Sequence, residues 1–199
     1  MARPFLFGTN FKMNQTPAES VAFYTQLAGS VSIPSGVRLF IIPPFTSLGA
    51  VAEAATAGPD DIWIGAQNVH WATAGAYTGE ISVGMLRAVD VDLVLLGHAE
   101  RRQHFHETDA DLNKKVLTVL GSGLRVLLAV GETADERSNG VSTETVARQL
   151  AIDLHGVTPE QAPLLQVAYE PVWSIGAAGT PAGPEDIEPV AASIRSTLE

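Results

Sequence analysis

Four polar side chains stand where apolar runs of the sequence end, and their types suit work on carbonyl and anionic oxygens. Glu170 closes the run 164–169 and is followed by Pro171-Val172-Trp173 and a small-residue loop, Gly176-Ala177-Ala178-Gly179. Burial disfavours a charged carboxylate unless a partner compensates, so an acid at the end of an apolar strand can be tuned towards proton transfer. The Gly/Ala loop behind it could close over a ligand and expel water. His98 follows the run 92–96 through Gly97, where a ring N–H can be offered to a substrate carbonyl. Asn10 and Lys12 end a run that begins at Arg3. Two apart in a strand, they are expected on one face, and a lysine beside an amide can hold an anionic oxygen. Each residue also has a plain structural reading: an exposed acid before a turn, a satisfied core histidine, a solvated turn lysine.

The elements that must present these groups are legible in turn. Apolar runs predict strands over 3–11, 37–42, 62–67, 92–96, 125–130 and 164–169. Thr16-Pro17-Ala18-Glu19 is a capping box with proline at the first helical position, opening a helix that Gly29 is expected to stop. Further helices are predicted over 47–57, 82–89, 108–120, 142–155 and 184–198. Thr108 and Asp111 form the capping pair of the fourth, and Val146, Leu150 and Leu154, spaced by four, line the fifth. The stretch 68–80 exceeds the usual βα loop and is expected to have a task of its own. The stretch from Gly131 to Gly140 reads as a polar loop.

Alternating strands and helices imply a parallel sheet. Its strands are near-continuous apolar runs, as expected when both faces are covered. An open doubly wound sheet and a closed eight-stranded barrel both fit that pattern. No G-x-G-x-x-G follows the first strand and no G-x-x-x-x-G-K-[ST] occurs, so nucleotide-binding signatures are absent. Asn10, Lys12, His98 and Glu170 follow the first, fourth and sixth strands, and that spread over strand C-terminal ends is the barrel pattern.

Composition narrows the class. The 199 residues are 46% hydrophobic and 17% charged, a profile of a compact α/β domain rather than a disordered chain. A net charge of −10 argues against nucleic-acid and anionic-membrane partners, and obliges an anionic ligand to find a local positive site. The absence of cysteine excludes disulfides and thiolate chemistry. No targeting segment is expected at the start, and no apolar run approaches the ~18 residues of a membrane span. His104 and His106, two apart with no second cluster, read as surface residues, so no metal is expected.

Six motifs stand in a telling order: Gly8-Thr9-Asn10-Phe11-Lys12-Met13-Asn14, Gly65-Ala66-Gln67-Asn68, Ala76-Tyr77-Thr78-Gly79-Glu80-Ile81-Ser82, Gly97-His98-Ala99-Glu100-Arg101-Arg102, Val130-Gly131-Glu132 and Tyr169-Glu170-Pro171-Val172-Trp173-Ser174-Ile175-Gly176. In this order and spacing the chain resembles the triosephosphate isomerase family from end to end. The resemblance implies interconversion of dihydroxyacetone phosphate and glyceraldehyde 3-phosphate through an enediolate. It makes Glu170 the base and His98, as neutral imidazole, the electrophile that polarises the carbonyl. Lys12 would supply positive charge to phosphate and enediolate, Asn10 a further donor, and the Gly176 amide a contact to a phosphate oxygen. Glu100 would lie behind them, near Lys12. Thr78 and its long loop would insert into a partner subunit, which makes the protein a homodimer. No metal or organic cofactor is implied, and the setting would be cytoplasmic. The residue types suit this chemistry on their own account: proton removal beside a carbonyl leaves charge on oxygen, and calls for a base, a hydrogen-bond donor and a cation.

Three departures modify the expectation. Ala99 stands where the family usually has serine, and the family's lid tip, Ile-Gly-Thr-Gly-Lys-Thr-Ala, here reads Ile175-Gly176-Ala177-Ala178-Gly179-Thr180-Pro181. These bear on closure and substrate size, so an isomerase of a four-carbon ketose phosphate, such as an erythrulose phosphate, is an alternative. The third departure is length, since barrels of this type typically run to about 250 residues. The expected fold is therefore an α/β (β/α)8 TIM barrel of which only the first six βα units are present, as one domain over 1–199, in a truncated sequence. A non-catalytic fragment that binds sugar phosphate is the second alternative.

Overall fold

The computed structural model describes residues 4–176 and 179–199. The strand start expected at Arg3 and the loop residues Ala177 and Ala178 lie outside them. The chain folds as two compact units, Met1–Leu95 and Leu96–Glu199.

The first unit runs β1 (Phe5–Asn10), α1 (Pro17–Ser30), β2 (Val37–Ile42), α2 (Phe45–Ala55), β3 (Ile62–Ala66), α3 (Val83–Arg87) and into β4 (Leu93–Leu96). Thr16 caps α1 in the expected manner: its hydroxyl accepts from the Glu19 amide while the Glu19 carboxylate accepts from the Thr16 amide. The helix runs one residue past Gly29. Neighbouring strands pair in parallel, from Phe5↔Val37 to Asn10↔Ile42, then Leu39↔Ile62 and Gly65↔Leu93. Asp92 fastens β3 to the start of β4, its carboxylate accepting from the Ile64 amide at 2.8 Å while its own amide donates to the Ile64 carbonyl. Ile41, Ile42, Val51, Ile64, Leu86 and Leu93 form the core.

The apolar runs do not all become two-sided interior. Every residue of β4 is buried, in keeping with cover on both faces. In β1, however, Phe5 and Phe7 are 68% and 66% exposed. An apolar sequence shows what a strand gains from being covered, and for β1 the described residues leave those rings in solvent.

The second unit continues with α4 (Ala99–His104), α5 (Asp109–Gly121), β5 (Arg125–Val130), α6 (Ala134–Ser138), α7 (Ser142–Asp153), β6 (Leu165–Tyr169) and α8 (Pro184–Leu198). β5 and β6 pair in parallel from Val126↔Leu165 to Val130↔Tyr169. α7 packs between α5 and α8, and Leu112, Val116, Val126, Leu128, Val146 and Leu150 are buried. Two of these helices differ from the sequence expectation. α4 follows His98 directly, and α6 occupies the stretch read as a polar loop. Both are too short to show apolar periodicity and are specified at their caps instead. Thr133 and Glu136 form a reciprocal capping box on α6. Among the described residues, no helix is long and apolar enough to cross a membrane.

Candidate active site

In the second unit the structure brings His98 and Glu170 into direct contact. Glu170 lies one residue past β6, its amide donating to the Val130 carbonyl at the end of β5. His98 is the N-cap residue of α4 and is buried. The Glu100 amide donates to His98 Nδ1 at 3.2 Å. With Nδ1 an acceptor, the neutral ring carries its hydrogen on Nε2. That nitrogen lies 3.0 Å from Glu170 Oε1. The Ala99 amide, in the first turn of α4, donates to Glu170 Oε2 at 2.8 Å. One carboxylate oxygen of this partly buried glutamate thus accepts a backbone N–H, and the other lies against the imidazole. The Glu100 carboxylate lies 3.6 Å from Nδ1, too far for a hydrogen bond. Glu100 serves the imidazole through its main chain.

A second acid holds the turn after Glu170. Glu132 is almost fully buried and accepts from Tyr169 Oη at 3.0 Å and from Trp173 Nε1 at 2.7 Å, while its carbonyl accepts from the Val172 amide. Burial, and then the hydrogen bond to the Glu132 carboxylate, push the Tyr169 hydroxyl above the ordinary tyrosine range. The Arg137 guanidinium stacks 3.8 Å over the Trp173 ring and pairs with Asp186 of α8. Gly131 must be glycine, because a Cβ there would overlap the Glu170 carbonyl.

In the first unit the structure builds a separate cluster around Asn10, the last residue of β1. Asn10 Oδ1 accepts from the Lys12 amide at 2.9 Å and from Gln67 Nε2 at 3.2 Å; Gln67 Nε2 also donates to the Lys12 carbonyl at 2.8 Å. Lys12 has φ +54°, in the left-handed region that non-glycine residues seldom occupy. The strand has ended by then, so the expectation that Asn10 and Lys12 share a strand face is corrected. Their relation is set by a turn that the Asn10 and Gln67 side chains hold.

With this geometry in place the comparisons with known proteins are decisive. A family model described as triosephosphate isomerase matches residues 5–199. The triosephosphate isomerase of Carboxydothermus hydrogenoformans is 43% identical over 198 residues, taking in 100% of this chain and 77% of that protein. Those of Alkaliphilus metalliredigens and Acetivibrio thermocellus are 40% and 41% identical over 199 residues, 100% of this chain and 78% of theirs.

The chain belongs to the triosephosphate isomerase family.

Membership makes the fold class α/β of the TIM-barrel kind, with six parallel strands and the helices between them as successive units, and it places the chain among the isomerases. The remaining site candidates fall as follows. Gly176 is exposed with φ +82°, the last described residue before Ala177. Thr78 is exposed on the long loop after β3. That loop has internal order: His70 is buried, its ring stacked on Trp71 at 4.3 Å and tilted against Tyr77 at 4.2 Å, and its Nδ1 accepts from the Ala72 amide. His104 and His106 are both exposed, and no group of three or more potential metal ligands gathers among the described residues. Gln67 and Glu132 were given no role by the sequence reading. The signal was present, because Gln67 directly follows an apolar strand, as Glu170 does, and Glu132 follows one through Gly131, as His98 does through Gly97.

Proposed function

We propose that the chain interconverts a ketose and an aldose triose phosphate, dihydroxyacetone phosphate and glyceraldehyde 3-phosphate, with Glu170 as base and His98 as electrophile. The observation that carries this reading is the 3.0 Å contact between His98 Nε2 and Glu170 Oε1. In this arrangement the imidazole Nε2–H sits against the carboxylate itself. A substrate carbonyl oxygen entering beside His98 takes over that N–H and leaves one carboxylate oxygen free to accept a proton from the adjacent carbon. Charge then moves to the carbonyl oxygen, against the Nε2–H donor, as the enediolate forms. The imidazole passes the hydroxyl proton of the first carbon's oxygen to the oxygen of the second, and return of the carbon-bound proton to that second carbon completes the exchange. Lys12 and Asn10 are assigned to the negative charge of phosphate and enediolate, and the Gly176 amide to a phosphate oxygen. Residues 1–199 act in this reading as one barrel domain, in a cytoplasmic homodimer whose long loop, with Thr78, reaches the partner.

The test is solvent exchange. Purified protein incubated with dihydroxyacetone phosphate in deuterium oxide is expected to label the carbon that loses its proton and to release aldehyde. Binding of the ketose phosphate with no label incorporated overturns the catalytic reading in favour of a binding protein. Faster labelling of a four-carbon ketose phosphate moves the substrate and leaves the mechanism.

A further inference from the structure

Behind the imidazole lies a partly buried ion cluster built on Arg102, whose amide donates to the His98 carbonyl. Arg102 of α4 uses its whole guanidinium there. Nε donates to the Gly97 carbonyl at 2.9 Å, Nη1 to Asp109 at 2.5 Å, and Nη2 to Asp153 at 2.8 Å and to the Ala129 carbonyl at 3.3 Å. The Gly97 carbonyl belongs to the peptide unit that leads into His98, so its orientation sets where the imidazole starts. Gly97 has φ +73°, and a Cβ there would lie 2.7 Å from the Ala129 carbonyl and 3.1 Å from Arg102 Nη2. The turn therefore closes only around an absent side chain, with the guanidinium pressed against it. Ala129 lies in β5, whose next residue, Val130, receives the Glu170 amide. One guanidinium thus ties together the backbone supports of both residues.

Asp153 is costly to keep in this position. It is fully buried, and its Oδ1 has no hydrogen-bond partner among the described residues. A buried, half-satisfied carboxylate is a poor device for stability alone. Arg102 already has a carboxylate in Asp109, which also pairs with Arg148 at 3.3 Å. What Asp153 adds is direction, since it draws Nη2 towards the end of α7 and presents the guanidinium to both carbonyls at once.

We propose that Asp153 is a positioning residue for His98, holding Arg102 across the Gly97 and Ala129 carbonyls and so fixing the turn from which the imidazole is presented. The proposal rests on the reading of His98 as the electrophile. The charged groups facing Asp153 are Arg102 on α4, Asp109 on α5 and Arg148 on α7. Burial, only partly offset by Arg102 and reinforced by Asp109, pushes the Asp153 carboxyl up to about 7. Only the ionised form grips Arg102 fully, so kcat is expected to rise with pH through about 7. Stability has the opposite sign. A carboxyl whose folded value lies above its ordinary 3.8 binds more protons in the folded state, so its contribution is lost as pH rises from about 3.8 to about 7.

The experiment compares wild type, Asp153→Asn and Asp153→Leu by kcat and KM across pH, by melting temperature, and by the nitrogen resonances of His98. Asp153→Asn keeps shape and an acceptor oxygen but cannot ionise. It is expected to lose the kcat rise near neutrality while melting above wild type at pH 8, with KM unchanged. Asp153→Leu is expected to lower kcat by roughly tenfold, well short of the ~10²-fold that a 1 Å misplacement can cost, and to shift the His98 resonances. A wild-type kcat profile in both variants with unmoved His98 resonances overturns the proposal. So does a loss in melting temperature alone with kcat per folded molecule preserved. If wild type shows no isomerisation, the functional reading fails by itself, and the His98 resonances of the same variants still decide whether Asp153 positions the ring.

Discussion

The Asn10–Lys12–Gln67 cluster of the first unit and the His98–Glu170 pair of the second are held by opposite means. In the first, side chains position a backbone: the Asn10 and Gln67 amides receive and donate the bonds that keep Lys12 at φ +54°. In the second, a backbone positions side chains: the amides of Ala99 and Glu100, in the first turn of α4, fix the Glu170 carboxylate and the imidazole tautomer. The helix N-terminus favours the carboxylate it receives. The difference suits the work proposed for each. A cation that neutralises substrate charge needs its main chain placed so that the side chain starts from a fixed point. A proton-transfer pair needs its reacting atoms held to tenths of an ångström.

The sharpest way to break that contrast is Glu170→Ala. It is expected to lower kcat by about 10³-fold, within the range of general-base catalysis, while a substrate analogue binds with little change. Equal losses in turnover and in analogue affinity would remove Glu170 from the base role. His98→Gln is expected next, at about 10²-fold in kcat with the melting temperature preserved. Wild-type rates in that protein would return His98 to a packing role and leave α4's N-terminus with a structural function only. Gln67→Leu probes the other region and carries the smallest effect. It leaves the Lys12 carbonyl without that donor, costing about 1–2 kcal/mol of stability, and is expected to raise KM several-fold with kcat little altered. A kcat loss as large as that of His98→Gln would mean that the two regions do not divide binding from chemistry.

Legibility in the sequence followed interaction range. The helix α8 was predicted at its observed bounds, and Thr16, Thr108 and Ser82 mark helix starts, because a cap and the amides it serves are within a few residues of one another. The strands were legible because long apolar runs between turn signals have few other uses. α4 and α6 were missed because a helix of five or six residues has no apolar stripe to read. The candidate residues were legible by type and place, each a polar side chain at the end of an apolar run. Their partners were not. Glu132 meets Tyr169 and Trp173, and Asp153 meets Arg102, across separations that no local pattern records.

The sequence by itself determined the order of strands and helices, the absence of thiol chemistry, the family, and which residues are capable of proton transfer, because these depend on residue type and short-range pattern. Only the tertiary structure decided that Lys12 sits in a left-handed turn rather than on a strand face, that His98 Nε2 lies against Glu170, and that a partly buried arginine with two carboxylates stands behind His98. Those outcomes depend on which donors and acceptors distant segments bring within about 3 Å of one another, a condition that folding alone can satisfy.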